Sequence, residues 1–201
     1  MELPDGYLDL APGKLANVAT NLQMFERPPL RPDPPGVRAA LRRERTPDAA
    51  WYRALFHKVG DAYLWFSRLL LDDDALLAII RDPRVEVYAV EADGNDEGLL
   101  ELDFRVEGEC EVAFLGLSGA LTGTGAGRYV MNRALELAWA KPVRRFWLHT
   151  CTLDHPGALA FYLRSGFVPY SRQVEVADDP RLTGVVPRDA APNVPVIATR
   201  S

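Results

Sequence analysis

The chain has 201 residues, of which 48% are hydrophobic and 25% charged, with a formal net charge of -5 and a pI near 5.3. Such a composition is typical of a globular domain and excludes disordered, collagen-like and coiled-coil chains. The acidic balance argues against a nucleic-acid partner, because phosphate binding needs clustered Lys and Arg, and it mildly favours a cationic or amine ligand. No apolar run approaches the length of a membrane span and the N-terminal residues include acids instead of a basic leader, so we expect a cytoplasmic protein without a membrane partner.

The N-terminal segment is predicted to be a helix followed by an extended connector. Apolar residues at i, i+3, i+4 and i+7 predict a short amphipathic helix over residues 12–25, with an apolar face made by Leu15, Val18, Ala19 and Leu22. Residues 26–36 contain five prolines, which leaves too few N–H donors for a helix or a central strand. We expect residues 1–36 to precede a catalytic domain over 37–176 and an irregular arm over 177–201.

The middle of the chain has the pattern of an antiparallel meander. A strand over 37–44 is followed by a helix that begins near Thr46 and a second helix over 72–81. The aromatic segment 63–68 between the helices is interpreted as core, with a pocket wall as the alternative. Polar segments of hairpin length separate three further strands, at residues 85–92, 99–106 and 110–117.

A Gly-rich loop connects the last of these strands to a helix over 128–141. Glycines alternate with other residues in this loop, at Gly123, Gly125 and Gly127. Glycine has no Cβ, so this backbone can turn several N–H groups toward one point, and the N-terminus of the helix adds partial positive charge there. The pattern therefore predicts a binding site for an anion such as a pyrophosphate.

The next strand, over 144–151, ends in residue types that are often reactive: His149, Cys151, Asp154 and His155. A nucleophilic cysteine needs a histidine within hydrogen-bond reach and a lowered pKa, which proximity in sequence does not establish. We interpret Cys151 as a small strand residue, and the irregular spacing predicts no metal site. Cys110 is far away and forms no CxxC pair, so no disulfide is predicted. A helix that ends at Gly166 and a strand over 167–176 complete the domain.

The identity of the nucleotide depends on the residues around the glycines. A Walker loop is excluded because no Gly-Lys-Ser/Thr follows. A dinucleotide-binding GxGxxG would need glycine at the position of Arg128, and it normally opens a parallel βαβ repeat instead of following a meander. Asp154, just past the next strand, keeps this alternative open as a ribose ligand.

Two motifs resemble those of the GNAT superfamily of acyltransferases. Residues 117–127 are similar to its acetyl-CoA motif, in which Gln or Arg, two residues, Gly, one residue and Gly or Ala follow the fourth strand. Gly125 and Gly127 match this pattern, and Thr122 stands where Gln or Arg is usual.

The second motif lies at residues 155–167. It resembles the GNAT signature Asn-x-x-Ala-x-x-x-Tyr ending in Gly-Phe, with Ala158 and Tyr162 in place and His155 instead of Asn. The two motifs occur in the expected order and separation, and the resemblance covers residues 37–176.

The resemblance implies an α/β fold of the α+β type, with a central mixed, mostly antiparallel sheet flanked by helices. It also implies acetyl-CoA as cosubstrate and transfer of its acetyl group to a primary amine of a small molecule or peptide, by direct attack in a ternary complex. No metal, nucleic acid or membrane is implied, and a homodimer is possible. Two alternatives stay open: a non-catalytic CoA sensor on the same fold, and a dinucleotide-binding oxidoreductase.

The same resemblance implies roles for particular residues. Glu111 would deprotonate the amine, as the glutamate of the histone-acetyltransferase branch does, with Glu101 and Asp103 as alternatives. Tyr162 would protonate the departing thiolate. A solvated carboxylate and a core tyrosine are the corresponding structural interpretations. A β-bulge would free backbone groups for the pantetheine, and the expected acetyl-CoA contacts are Leu115, Gly116, Leu117, Thr122, Gly123, Thr124, Gly125, Ala126, Gly127, Arg128, His155 and Ala158.

Overall fold

A computed structural model of the chain describes residues 4–198. Within these residues the strands are β1 (Lys14–Met24), β2 (Ala40–Glu44), β3 (Val85–Ala92), β4 (Asn95–Asp103), β5 (Glu109–Leu117), β6 (Arg145–Cys151) and β7 (Val168–Asp178). The helices are α1 (Ala49–Gly60), α2 (Asp73–Ile80), α3 (Ala126–Trp139) and α4 (Ala158–Arg164), with a 3₁₀ turn at Asp61–Tyr63. The strands form one mixed sheet in the order β2-β3-β4-β5-β6-β1-β7, in which β5 and β6 are the parallel pair.

Strand β1 lies between β6 and β7 and is antiparallel to both. Its side chains alternate: Leu22 and Met24 enter the core, whereas Asn17 and Asn21 face the other way and bond to side chains of β7. The helix predicted over residues 12–25 is therefore wrong. A strand between two partners forms backbone hydrogen bonds along both edges, and this tertiary pairing overrides the helical spacing of the apolar residues.

The helices cover the two faces of the sheet. Helices α1 and α2 bury one cluster around Tyr52, Phe56 and Leu76, mainly over β3 and β4. Helix α3 buries the main cluster on the opposite face, around Met131 and Phe146, and α4 adds Tyr162 to it. None of the described helices is both long and apolar enough to cross a bilayer.

The first hairpin is tighter than the sequence indicates. Asp93 and Gly94 both have left-handed backbone angles, with φ of 48° and 80°, so two residues complete the turn between β3 and β4. Strand β4 therefore begins at Asn95 and ends at Asp103, not at the predicted positions 99 and 106. Its polar start is held by side-chain partners, since Asp96 accepts hydrogen bonds from Arg42 and Trp51.

The proline-rich connector, residues 26–36, runs from β1 to β2 and packs on α3 near the start of this helix. An added Cβ on Gly166 would lie 3.1 Å from Pro28, and one on Gly125 would lie 2.8 Å from Pro34, so the connector packs on both turns. Asn132 of α3 anchors it by donating one hydrogen bond to the Asp33 carboxylate. The connector is thus a fixed part of the surface around Gly125 and Gly166.

The C-terminal arm folds back onto the sheet and is organised by a buried ion pair. Arg181 and Asp179 are 1% and 3% exposed, and Arg181 also donates to the carbonyl of Val194. Val186 and Ala191 of the arm pack against Leu64, which follows the 3₁₀ turn. The arm therefore supports the segment that connects α1 to α2.

Candidate active site

The sheet opens between β5 and β6. These parallel strands pair only over Glu109–Glu111 and Arg145–Trp147, while β6 continues to Cys151 along β1. Opposite Glu101 and Leu102, one extra residue of β5, Ala113, forms a bulge. Beyond the bulge, no strand of the described chain pairs with the backbone groups on the edge of β5 that faces β6.

A cavity of about 1070 Å³ fills this opening. Of the residues predicted to contact acetyl-CoA, ten line it: Leu115, Gly116, Leu117, Thr122, Gly123, Gly125, Gly127, Arg128, His155 and Ala158. Thr124 and Ala126 do not line it. Ala126 is fully buried in the core below the loop, and the Thr124 hydroxyl donates to the carbonyl of Leu121.

The Gly-rich loop carries unpaired amides at residues that line the cavity. Among the described residues, the N–H groups of Gly123, Gly125 and Gly127 have no hydrogen-bond partner, whereas those of Thr122 and Thr124 are bonded within the loop. The three free donors alternate along the chain and lie at the N-terminus of α3, where the helix dipole is positive. This arrangement is suited to phosphate oxygens.

Three arginines gather beside these amides: Arg31 from the connector, Arg128 from α3 and Arg164 from α4. Each lines the cavity, and none forms an ion pair with a carboxylate of the described chain. Arg128 was expected at the site, whereas Arg31 and Arg164 were not. They extend the positive surface from the loop toward solvent.

Tyr162 of α4 lines the same cavity, and its ring packs against Phe161 and Phe167. Its hydroxyl has no partner among the described residues. Burial raises the pKa of Tyr162, and the charge of Asp154 raises it further, so the hydroxyl stays protonated at neutral pH. The residue combines a packed ring with a free O–H group.

His155 replaces the asparagine of the second motif and performs a comparable structural task. Its Nδ1 accepts a hydrogen bond of 3.0 Å from the N–H of Gly157, two residues ahead, just before α4 begins. An asparagine oxygen makes the same local bond in an Asx turn. This hydrogen bond places the proton of the neutral ring on Nε2.

Trp65 forms a wall of the cavity and joins the two sides of the opening. Its indole packs on Phe114 of β5, and its Nε1 donates a hydrogen bond of 3.0 Å to Asp154, beyond β6. Gly116 is needed for this packing, because an added Cβ would lie 2.7 Å from Val59 and 3.0 Å from the indole. The segment 63–68 is therefore both core and cavity wall.

Glu111 lies at the last pair of β5 and β6, immediately before the cavity-lining Val112. Its carboxylate has neither an ion pair nor a hydrogen bond among the described residues. Burial raises the pKa of Glu111 to about 7, with a further contribution from Asp103, while Arg68 opposes the shift. The structure does not place Glu111 in the cavity lining itself.

The alternative carboxylate Glu101 is committed elsewhere. It is fully buried and accepts hydrogen bonds from the Tyr52 hydroxyl at 2.5 Å and from Arg68 at 2.6 Å. Both carboxylate oxygens of Glu101 are therefore occupied by partners within the fold. Asp103, the other alternative, is paired with Arg105 at 2.6 Å.

Comparison with known proteins agrees with this geometry. Residues 42–167 match the family described as Acetyltransferase (GNAT) family. The chain belongs to the GNAT acetyltransferase family. The predicted α/β GNAT fold is confirmed, and the described sheet, with one parallel strand pair, differs from a dinucleotide-binding parallel sheet. None of the curated proteins matches the chain.

Solved structures of low sequence identity share the GNAT fold. A putative GNAT acetyltransferase from Novosphingobium aromaticivorans has a TM-score of 0.53 at 19% identity, with 83% of this chain and 68% of that chain covered. A GCN5-related N-acetyltransferase from Kribbella flavida has a TM-score of 0.53 at 21% identity, with 84% and 60% covered. A functionally unknown protein from Staphylococcus epidermidis has a TM-score of 0.55 at 13% identity, and this chain spans 63% of its length.

The reactive residue types at the end of β6 do not form a nucleophilic pair in this GNAT domain. Cys151 and His149 both line the cavity, but no hydrogen bond joins them. Burial raises the pKa of Cys151 to about 11, with a further contribution from Asp154, so the thiol is protonated at neutral pH. Asp154 itself accepts from Thr150 and from the Cys151 amide, which fixes the turn after β6.

A second group of cavity residues was missed by the sequence interpretation. Asn17 of β1 and Gln173 and Glu175 of β7 line the cavity on the side away from α3 and α4. Their strands are separated by about 150 residues in sequence, so no local motif connects them. Only the pairing of β1 with β7 brings these side chains together.

Proposed function

We propose that this GNAT domain transfers an acetyl group from acetyl-CoA to a primary amine. The observation that carries the proposal is the opening of the sheet, because one cavity receives the unpaired edge of β5, the free amides of the Gly-rich loop and the Tyr162 hydroxyl. These are the parts that a thioester with a long amide arm and a pyrophosphate requires.

The cofactor half of the cavity would hold acetyl-CoA in an extended form. The pyrophosphate is assigned to the amides of Gly123, Gly125 and Gly127, and the pantetheine amides to the β5 edge from Leu115 to Leu117. The arginines beside the loop supply positive charge for the remaining phosphate. When bound, acetyl-CoA supplies the activated acyl carbon.

Transfer needs two proton movements around one exchange of bonds. The neutral amine forms a C–N bond to the acyl carbon and loses a proton, while the C–S bond breaks and the thiolate gains one. Tyr162 suits the second task because its hydroxyl is protonated, free of other partners and inside the cavity. Direct attack fits the protonated state of Cys151, which makes a covalent acyl-enzyme unfavourable.

Glu111 is proposed as the group that receives the proton of the amine. A pKa of about 7 allows it to be a carboxylate at mildly basic pH and still bind a proton strongly enough to act as a base. Glu111 directly precedes the cavity-lining Val112 in β5, and we assign its contact with the amine to a bridging water molecule.

The position of Glu111 outside the cavity lining also favours a second candidate, a GNAT-fold sensor that binds CoA without catalysis.

The acceptor is proposed to be a small molecule or peptide. One solved structure of similar fold, at 14% identity and a TM-score of 0.53, is an aminoglycoside acetyltransferase from a soil metagenome. Aminoglycoside acetylation is the activity of that relative, and for this chain it only indicates an aminoglycoside as one amine to test.

A cofactor screen followed by a turnover assay tests the proposal. Acetyl-CoA and CoA should raise the melting temperature, whereas NAD and NADP should not; a ligand at about 100 times its Kd stabilises by about 2.7 kcal/mol. Acetyl-CoA with a panel of primary amines should then yield free CoA thiol and the amide. Stabilisation by CoA without any amide would favour the sensor, and stabilisation by NAD alone would reject both.

A further inference from the structure

One face of strands β6, β1 and β7 forms the acceptor-side wall of the cavity. Leu22 and Leu148 are paired in register and buried against α3, so the alternate residues point to the opposite face. That face carries Asn17, paired with Glu175, and Ala19, paired with both Cys151 and Gln173. Helices α1 and α2 pack mainly on β3, β4 and β5 and leave this face to the cavity.

Asn17 is the buried centre of this wall. It is 6% exposed, and its Nδ2 donates a hydrogen bond of 2.7 Å to Glu175. Its Oδ1 is buried and has no partner among the described residues. A buried carbonyl oxygen without a donor is unfavourable, so this orientation of the amide favours an additional N–H group at the wall.

Glu175 supplies a negative charge beside Asn17. No cation of the described chain lies within ion-pair distance of its carboxylate, although the neighbouring Asp178 is paired with Lys14 at 2.7 Å. Asn17 holds one oxygen of Glu175, which leaves the other oxygen free at the cavity wall. Gln173 is also fixed, since its Oε1 accepts from Asn21.

The two halves of the cavity therefore differ in charge. The cofactor half has the amides of the loop and Arg31, Arg128 and Arg164, which suit phosphates, whereas the wall at Asn17 offers a carboxylate and a carbonyl oxygen. The Glu175 carboxylate and the Asn17 carbonyl oxygen accept hydrogen bonds from a cation, and the carboxylate repels an anion.

We propose that Glu175 and Asn17 bind a second ammonium group of the acceptor, so that the substrate class is a di- or polyamine. The inference rests on the proposed acetyl transfer, because it assigns the reacting amine to the centre of the cavity and the second charge to this wall. Glu175 accepts a charge-assisted hydrogen bond from the ammonium, and Asn17 Oδ1 accepts from another of its N–H groups. Acceptors that carry a carboxylate near the amine are disfavoured by the same charge.

The experiment compares amines that differ only in the second charge: 1,6-diaminohexane with n-hexylamine, and 1,4-diaminobutane with n-butylamine. The kcat/KM for at least one diamine should exceed that of its monoamine by about tenfold or more, the scale of one charge-assisted hydrogen bond. Glu175→Gln keeps an oxygen for Asn17 but removes the charge, and should raise KM for the diamine and lower the ratio of kcat/KM for the diamine to that for its monoamine by about tenfold. Glu107→Gln, in the exposed β4–β5 turn, is the matched control and should change nothing.

Calorimetric titration of the same amines separates this proposal from the proposed function. The diamine should bind wild-type protein in the presence of CoA and bind Glu175→Gln at least about tenfold more weakly. Absence of CoA binding would overturn acetyl transfer, and titration of the diamine without CoA would still decide the subsite. Equal use or binding of monoamine and diamine, or an unchanged preference in Glu175→Gln, would overturn the polyamine proposal.

Discussion

The two halves of the cavity are built from different parts of the chain. The cofactor half consists mostly of consecutive backbone, from the edge of β5 through the loop to α3, with arginines at its rim. The acceptor half consists of side chains from β1, β6, β7 and the segment before α2, which meet only in the folded sheet. The difference teaches that a site made of backbone groups can be predicted from the local spacing of glycines. A site made of side chains from distant strands depends on how those strands pair in the folded sheet.

Tyr162→Phe tests the boundary between the halves and should have the largest effect. Phenylalanine keeps the ring packed on Phe161 and Phe167 but removes the proton donor. The kcat should fall by about 10² to 10⁴, the usual range for one general acid or base. Steady-state kinetics measure kcat, and calorimetry should give an unchanged Kd for acetyl-CoA. A kcat within a few-fold of wild type would make Tyr162 a packing residue, and a weaker Kd would assign its hydroxyl to binding.

Gly123→Asp tests the cofactor half alone. Gly123 has a φ of 79° and no atom within 4 Å of an added Cβ, and Asp and Asn are the non-glycine residues that best tolerate this backbone. Gly123→Asn is therefore a matched control of equal shape. The carboxylate should weaken acetyl-CoA binding about 100-fold relative to Asn, because it faces phosphate charge within a few ångströms. Equal affinities in calorimetry would show that the loop does not bind the phosphates. Gly125→Glu is less clean, since it also displaces Pro34.

Glu111→Gln tests whether the proposed base lies in the acceptor half. With a pKa near 7, wild-type Glu111 is protonated below that pH and inactive as a base. The kcat/KM should fall about tenfold per pH unit below 7, after correction for protonation of the amine. Glu111→Gln should lower the activity and abolish this decline of kcat/KM below pH 7, whereas Glu107→Gln should keep it. If the decline of kcat/KM below pH 7 persists in Glu111→Gln, the base is another group.

The same pKa predicts an effect on stability. Because the pKa is raised from 4.5 to about 7 in the folded state, protonation of Glu111 stabilises the fold below pH 4.5, and this contribution is lost as the pH rises through 7. The melting temperature of Glu111→Gln, measured by calorimetry, should therefore increase relative to that of wild type as the pH is raised from 5 to 8. A pH-independent difference would contradict the raised pKa.

Arg31→Ala tests the contribution of the connector and should have the smallest effect. Arg31 lines the cavity beside Arg128 and Arg164, so its removal should weaken CoA binding by several-fold to about tenfold. The loss should be smaller for dephospho-CoA, which lacks the 3′-phosphate. Arg188→Ala, in the exposed C-terminal arm, is the control. Equal losses for the two ligands would remove Arg31 from recognition of that phosphate.

Local patterns were sufficient for much of the fold. The strand periodicity of β3 and β5 and the apolar stripe of α3 predicted those elements within two residues of their observed bounds, whereas the tight hairpin displaces β4 toward the N-terminus. The departure at Thr122 matters little to the loop, since the free donors are backbone amides. The second motif located Tyr162 in the same way, through its position on a short helix.

Tertiary context decided the rest. Residues 12–25 contain apolar spacing that fits a helix, but the segment inserts between two distant strands and becomes β1. Asn17 had no local signal as a site residue, because its partner Glu175 lies 158 residues away. Arg31 was missed for a similar reason: the connector was identified as extended, but its path across α3 depends on packing at Gly125 and Gly166.

The central claim is that both substrates meet in one cavity and react directly. Initial velocities measured over a grid of acetyl-CoA and amine concentrations test it, with the best amine from the panel. We predict intersecting double-reciprocal lines, which indicate a ternary complex, and no acetyl adduct on the protein after incubation with acetyl-CoA alone. Parallel lines together with an acetyl thioester on Cys151 would contradict the account.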